Sequence, residues 1–170
     1  MSLSIHEVSV PVFARMLQRL AGILEKAAAH APAAGGDPDR LLSSRLAPDM
    51  YPLVEQVRIA VDAATDGAAR LARVEPPAFT EAEESFPALQ ARIRVALAFL
   101  HSLDPSRFEG AEERVVSWTS RGAAISVTGA QYLLNHAMPK FYFHLTTAYA
   151  ILRHEGVALR KGDFMGKAEA

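Results

Sequence analysis

Residues 135–156 read NHAMPKFYFHLTTAYAILRHEG, and this stretch says most about the fold of the chain. It predicts one helix that carries His144 among apolar and aromatic side chains and ends at Gly156. Pro139 falls inside the stretch, so we expect a kink or a late helix start there. An ionisable ring in such surroundings is either buried with a hydrogen-bond partner or lines a pocket. The function depends on which of these holds for His144.

Composition limits the classes of protein that the chain can belong to. Half of the 170 residues are hydrophobic and 22% are charged, which predicts one globular domain over residues 1–170. The net charge of −1 gives no broad positive field, so we expect no binding to nucleic acid or to an anionic membrane. Cysteine is absent, which removes disulfides and thiolate metal sites. We see no signal peptide and no apolar run of roughly 20 residues that could span a bilayer, and we expect a cytoplasmic protein.

Three further long helices are indicated by apolar residues at spacings of three and four. The first is expected to start near Ser4 and to end within residues 31–36. The second ends at residues 75–77, because proline cannot continue a helix. The third has Ser85 as its N-cap and is closed by residues 104–105.

Shorter features complete the pattern. A short helical turn is expected to begin at Pro38, since proline suits the first helical position. Thr80 with Glu83 forms an alternative capping box for the third helix. Near the chain end, Phe164 and Met165 stand in a polar setting, and we expect both to pack against the rest of the protein.

A β-hairpin interrupts the helical pattern. Residues 115–119 and 125–128 are rich in β-branched and aromatic types, and they flank a turn at residues 120–122. A two-stranded hairpin is only marginally stable alone, so it should lie on the helices. Gly129 then leads the chain into the last helix. The prediction is an all-α four-helix bundle with a short hairpin between helices three and four.

Four motifs near the C-terminus carry a resemblance to a known family. They are Tyr-Leu-Leu-Asn-His-Ala at 132–137, Pro-x-Phe-Tyr-Phe-His at 139–144, Thr-Thr-Ala-Tyr-x-Ile-Leu-Arg at 146–153 and Asp-Phe-x-Gly at 163–166. The chain resembles the DinB/YfiT-like metalloenzyme superfamily, and it is most similar to a bacterial branch of unknown function. The resemblance covers nearly the whole chain and implies the fold more specifically than any activity.

The resemblance also implies where a metal would bind. In the superfamily one histidine from the second helix and two from the fourth hold a divalent ion. His144 matches one fourth-helix position, but Lys140 stands at the other, and only Asp49 and Tyr51, with Met50 between them, lie near the second-helix position. We therefore expect a degenerate metal site without a confident cofactor. A divalent ion such as zinc or nickel is disfavoured, although a weak site of His144, Asp49 and water stays open.

The sequence allows several interpretations of the candidate pocket. Asp49, Lys140 and His144 could surround one cleft, with Asp49 holding the lysine or orienting the imidazole. Tyr51 and His136 are further pocket candidates, although His136 and His144 are about 12 Å apart along a straight helix and cannot share one ion. The simpler alternatives are a histidine held by a buried hydrogen bond and a surface lysine.

The function expected from these observations is binding of a small molecule or scaffolding. The alternative is a DinB-like metal-dependent transferase or isomerase that acts on a small molecule with a thiol cofactor, which the resemblance alone implies. The apolar last helix further predicts a homodimer, because one of its faces could remain uncovered.

Overall fold

The computed structural model describes residues 3–33, 38–79, 85–120 and 122–166. In chain order its elements are α1 (Ile5–Ala33), α2 (Pro38–Leu42), α3 (Leu53–Ala72), α4 (Phe86–Ser102), a 3-10 turn (Pro105–Phe108), β1 (Val115–Ser120), β2 (Ala123–Thr128), α5 (Gly129–Tyr132), a π turn (Leu133–Ala137), α6 (Met138–His154) and α7 (Lys161–Met165). The predicted all-α bundle with one small hairpin is confirmed.

The long helices α1, α3, α4 and α6 bury their apolar stripes in one core. Helix α3 packs against α6, and α1 packs against α4. Phe13 of α1 and Phe141 of α6 meet edge to face in this core, with ring centroids 5.0 Å apart, and both are fully buried. Such aromatic pairs stabilise a core beyond the area that they bury.

The ends of the helices follow from local chemistry. Ser4 caps α1, since its Oγ accepts from the Glu7 N–H while the Glu7 carboxylate accepts from the Ser4 N–H. Ser85 caps α4 as predicted, by accepting from the Ala88 N–H at 3.3 Å. Helix α3 ends at Ala72, before the prolines are reached. The alternative capping box at Thr80 and Glu83 lies outside the described residues.

The hairpin is joined to the bundle at both of its ends. Strands β1 and β2 are antiparallel, and the buried side chain of Val116 points to the core. The guanidinium of Arg70 on α3 donates to the Ser117 carbonyl oxygen at 3.1 Å. A Cβ at position 129 would collide with the carbonyl oxygen of Ala111, so only glycine fits where the hairpin passes into α5.

Pro139 lies at the second position of α6, directly after the π turn. Proline lacks an N–H, and its ring crowds the carbonyl group four residues earlier, in this case that of Asn135. A wider turn relieves this crowding, and π turns are a common site of local helix distortion. Helix α5, the π turn and α6 follow one another without a loop, and α6 begins at Met138, directly before the proline at which a kink or a late helix start was expected.

Some apolar side chains stay on the surface. Phe143 is 57% exposed, and with Leu46 it lines a shallow apolar groove on the outer face of α6. The expected homodimer stays a prediction, and sedimentation at tens of micromolar protein would test it.

Phe164 packs against Tyr149 as expected, but the expectation for Met165 is wrong, since its side chain is 54% exposed at the end of α7. No helix in the described part of the chain is long and apolar enough to cross a membrane.

Candidate functional site

The packed pair α3–α6 carries the ionisable residues of interest. His136, Lys140 and His144 follow one another at four-residue spacing, which places them along one side of the last helical segment. Gln56 lies opposite His144, and Asp66 acts electrostatically with Lys140 further along α3. We call this row the α3–α6 seam, and its two ends differ in construction.

At one end, His144 is held by an amide. Its Nδ1 lies 2.7 Å from the Gln56 Oε1, and the Gln56 Nε2 donates to the Tyr51 carbonyl oxygen at 3.1 Å. Because the amide nitrogen is committed to that carbonyl, the amide oxygen must accept from the ring. His144 therefore carries its proton on Nδ1, and the lone pair of Nε2 is left for another partner.

Burial favours the neutral form of this ring. The side chain of His144 is half-buried, and burial lowers its pKa; the positive charge of Lys140, one turn earlier, lowers the pKa further. At neutral pH His144 is therefore a neutral, oriented imidazole. Such a ring can accept a proton or ligate a metal through Nε2.

The predicted second-helix candidates do not meet His144. Asp49 and Tyr51 lie in the turn before α3; Asp49 is exposed, and the Tyr51 side chain is 59% exposed. The expectation that Asp49 orients the imidazole is wrong, since Gln56 makes that hydrogen bond.

Sequence reasoning missed Gln56, although a signal was present. Gln56 stands three residues after Leu53 and four before Ala60, on the apolar stripe of α3, and it is only 1% exposed. A long amide inside an apolar stripe needs a buried polar partner, and His144 is that partner.

The other end of the seam is a partly open cavity beneath the hairpin, with a volume of about 170 Å³. We call it the hairpin cavity; its lining residues are Ala63, Asp66, Arg70, Trp118, Thr119, Tyr132, His136, Ala137 and Lys140. Its volume lies below the roughly 300–1,000 Å³ typical of pockets for drug-sized ligands. The structure thus separates the predicted pocket residues: His136 and Lys140 line this cavity, whereas His144, Asp49 and Tyr51 do not.

Three rings form one wall of the hairpin cavity. Trp118 packs against Tyr132 and His136 with centroid distances of 5.2 and 4.7 Å, and Tyr132 stacks on His136 at 5.6 Å. Trp118 therefore forms part of the cavity wall as well as packing on the helices. Its Nε1 is buried and finds no hydrogen-bond partner among the described residues, and an unpaired buried donor costs about 1–3 kcal/mol.

Charged groups of both signs line the hairpin cavity. Asp66 is half-buried; burial raises the pKa of its carboxyl, and the nearby charge of Asp62 raises it further. Arg70 and Lys140 are exposed and oppose that shift. Within the described part of the chain, neither Asp66 nor Lys140 forms an ion pair or a hydrogen bond through its side chain.

The two remaining titratable groups of the cavity are neutral at physiological pH. Burial raises the pKa of Tyr132 to about 12, so its phenol keeps its proton. Burial lowers the pKa of His136, and the charges of Lys140 and Arg70 lower it further. The His136 ring can therefore exchange neutral hydrogen bonds with a bound molecule, and the Tyr132 hydroxyl, which already interacts with the Arg70 guanidinium, can still donate one.

The donor set of the α3–α6 seam decides whether a metal could bind there. Across residues 3–33, 38–79, 85–120 and 122–166, no group of three or more histidine, aspartate and glutamate side chains converges as metal ligands would. At His144, the neighbouring positions offer the cation Lys140 and the already bonded amide of Gln56. These residues do not fit a three-ligand site.

The helical bundle and the hairpin before its last helix define a DinB-like fold. The domain of unknown function DUF1993 matches residues 5–165, so the chain belongs to this family. The chain is also similar to the crystal structure of a DinB family member protein from Shewanella denitrificans, with 36% identity and a TM-score of 0.92 over 98% of this chain and 94% of that one. No curated protein matches. The resemblance to a DinB-like branch of unknown function is confirmed.

Proposed function

We propose that this protein binds a small polar molecule in the hairpin cavity. One observation carries the proposal: Asp66 and Lys140 line the same cavity, and neither has an ion-pair partner there among the described residues. Opposite charges that face a cavity without pairing leave binding capacity for a third group.

A purely structural role explains this lining poorly. Burying a carboxyl without a partner and leaving the Trp118 N–H unpaired both lower stability, and apolar side chains would pack the same space at lower cost. Polar groups that disfavour folding are typical of sites that bind a ligand.

Thermal unfolding with a panel of small carboxylates, amines, polyols and amino acids tests the proposal. At least one compound should raise the melting temperature of the natural protein, because a ligand that binds only the folded state stabilises it. Lys140→Met should abolish the shift. Lys161→Met is the matched control, since Lys161 is exposed on α7, away from the hairpin cavity. Equal shifts in both variants would contradict the proposal.

A second candidate function is the metal-dependent transferase or isomerase chemistry that the DinB-like fold suggests, with a thiol cofactor. The free Nε2 lone pair of His144 favours it, because metal-ligating histidines usually have their other nitrogen fixed by a hydrogen bond. Calorimetric titration with nickel should give weak binding that His144→Ala removes and Lys140→His strengthens. Nickel binding that is unchanged in His144→Ala would exclude this site.

A further inference from the structure

The charges of the hairpin cavity are arranged by depth. Asp66 is half-buried, whereas Arg70 and Lys140 are exposed, so the negative group lies deeper than the two positive groups. Asp66 and Lys140 act on each other electrostatically without touching. Asp62, the other carboxylate near this site, already pairs with Arg92. Asp66 is therefore the carboxylate of the lining that is left for a bound cation.

The positive side of the hairpin cavity offers directed donors. The Arg70 guanidinium is anchored by its hydrogen bond to the Ser117 carbonyl oxygen, which fixes it at the hairpin end of the cavity. Lys140 adds a flexible ammonium from α6. An ammonium and a guanidinium on one side of a small space are suited to a carboxylate.

We infer that the hairpin cavity binds a small zwitterion of the α-amino acid type, with its ammonium group on Asp66 and its carboxylate on Lys140 and Arg70. The inference rests on the proposed function and names the class of ligand. A ligand with only one charge would leave either the half-buried carboxyl or the two cations without a group of opposite charge. The volume of about 170 Å³ suits a molecule of this size and is too small for a drug-sized ligand.

Three probes related by the removal of one charged group separate the charges. L-alanine carries both groups, propionate only the carboxylate, and ethylamine only the ammonium. Titration calorimetry on the full chain should show L-alanine binding about tenfold or more tightly than either other probe, because each charge-assisted contact is worth about 1.5–3 kcal/mol, which is at least tenfold in affinity.

Variants assign each charge to its partner. Asp66→Asn, which keeps the shape of the side chain, should weaken L-alanine about tenfold and leave propionate unchanged or tighter. Lys140→Met should weaken both. Asp49→Asn is the matched control, because Asp49 is exposed and does not line the hairpin cavity. L-alanine should also bind more weakly as the pH falls and Asp66 takes up a proton.

The outcomes separate this inference from the proposed function. If propionate binds as tightly as L-alanine and Asp66→Asn has no effect, the inference of a zwitterionic ligand is wrong. The hairpin cavity would then be a site for a small anion. If none of the three probes binds but another compound of the panel stabilises the protein through Lys140, the inference fails and the proposed function stands. If no compound of the panel stabilises the protein, both fail.

Discussion

The two ends of the α3–α6 seam show how one helical spacing produces two different environments. At one end the His144 ring meets the Gln56 amide directly, and the polar groups satisfy each other. At the other end the facing groups are Asp66 and Lys140, which do not touch, and the hairpin covers the space between them. A four-residue spacing places side chains on one face, but the opposing elements decide whether that face is closed or open.

The largest expected effect comes from breaking the support of the open end. Gly129→Ala forces a Cβ into the carbonyl group of Ala111 and should lower the free energy of unfolding by about 3 kcal/mol, as overpacking does. Gly22→Ala is the control, because nothing lies within 4 Å of a Cβ there and alanine favours the helix interior by roughly 0.5–1 kcal/mol. Urea unfolding measures both. Similar changes in the two variants would refute the close approach.

At the closed end of the seam, the hydrogen bonds of the Gln56 side-chain amide can be removed by substitution. Gln56→Leu leaves the His144 N–H and the Tyr51 carbonyl oxygen without their partner and should cost about 1–2 kcal/mol in urea unfolding. Gln56→Glu places a carboxylate next to the His144 ring and should raise the pKa of His144 relative to the natural protein. NMR titration of the ring measures this. An unchanged pKa in Gln56→Glu would mean that the hydrogen bond is absent in solution.

The two histidines and the carboxyl group of Asp66 affect stability in opposite directions as the pH falls. His136 and His144 have lowered pKa values in the folded state, so the unfolded chain binds more protons as the pH falls below about 6.5. Their contribution to stability is therefore lost on acidification through that range. His144→Gln should flatten the decline by well under roughly 1 kcal/mol, since water screens a half-exposed ring. A steeper decline in that variant would contradict the assigned direction.

The pKa shift of Asp66 has the opposite pH dependence in its effect on stability. Its pKa is raised in the folded state, so its contribution to stability is present below about pH 3.8 and is lost as the pH rises through the folded value. Asp66→Asn should therefore stabilise the protein slightly at neutral pH, by less than about 1 kcal/mol, and not at all at pH 3. Thermal unfolding at the two pH values checks this. Destabilisation at neutral pH would show that the carboxylate has a partner.

The smallest expected effect is the influence of Lys140 and Arg70 on the pKa values of the two histidines. Lys140 lowers the pKa of both histidines, whereas Arg70 acts only on His136. Lys140→Met should therefore raise both pKa values, and Arg70→Met should raise that of His136 alone. One NMR titration of each variant follows both rings. A shift of His144 in Arg70→Met would show that the two ends are not electrically separate.

Much of the fold could be predicted from local sequence. The apolar stripes predicted the four long helices, Ser85 marked the start of α4, and the turn at residues 120–122 predicted the hairpin. Less of the site could be predicted. Lys140 and His136 were identified as pocket residues, but Asp66 and Arg70 were missed, because each looks like an ordinary solvated charge on a helix.

What the sequence by itself determined is the set of elements and the face that each presents. Helical periodicity and capping residues act over a few residues, so they can be identified along the chain. Only the tertiary structure decided that Gln56 meets His144, 88 residues away, and that Trp118 on the hairpin lines the same cavity as Asp66. These contacts depend on the alignment of α3 with α6 and on the placement of the hairpin, which packing across the whole core sets.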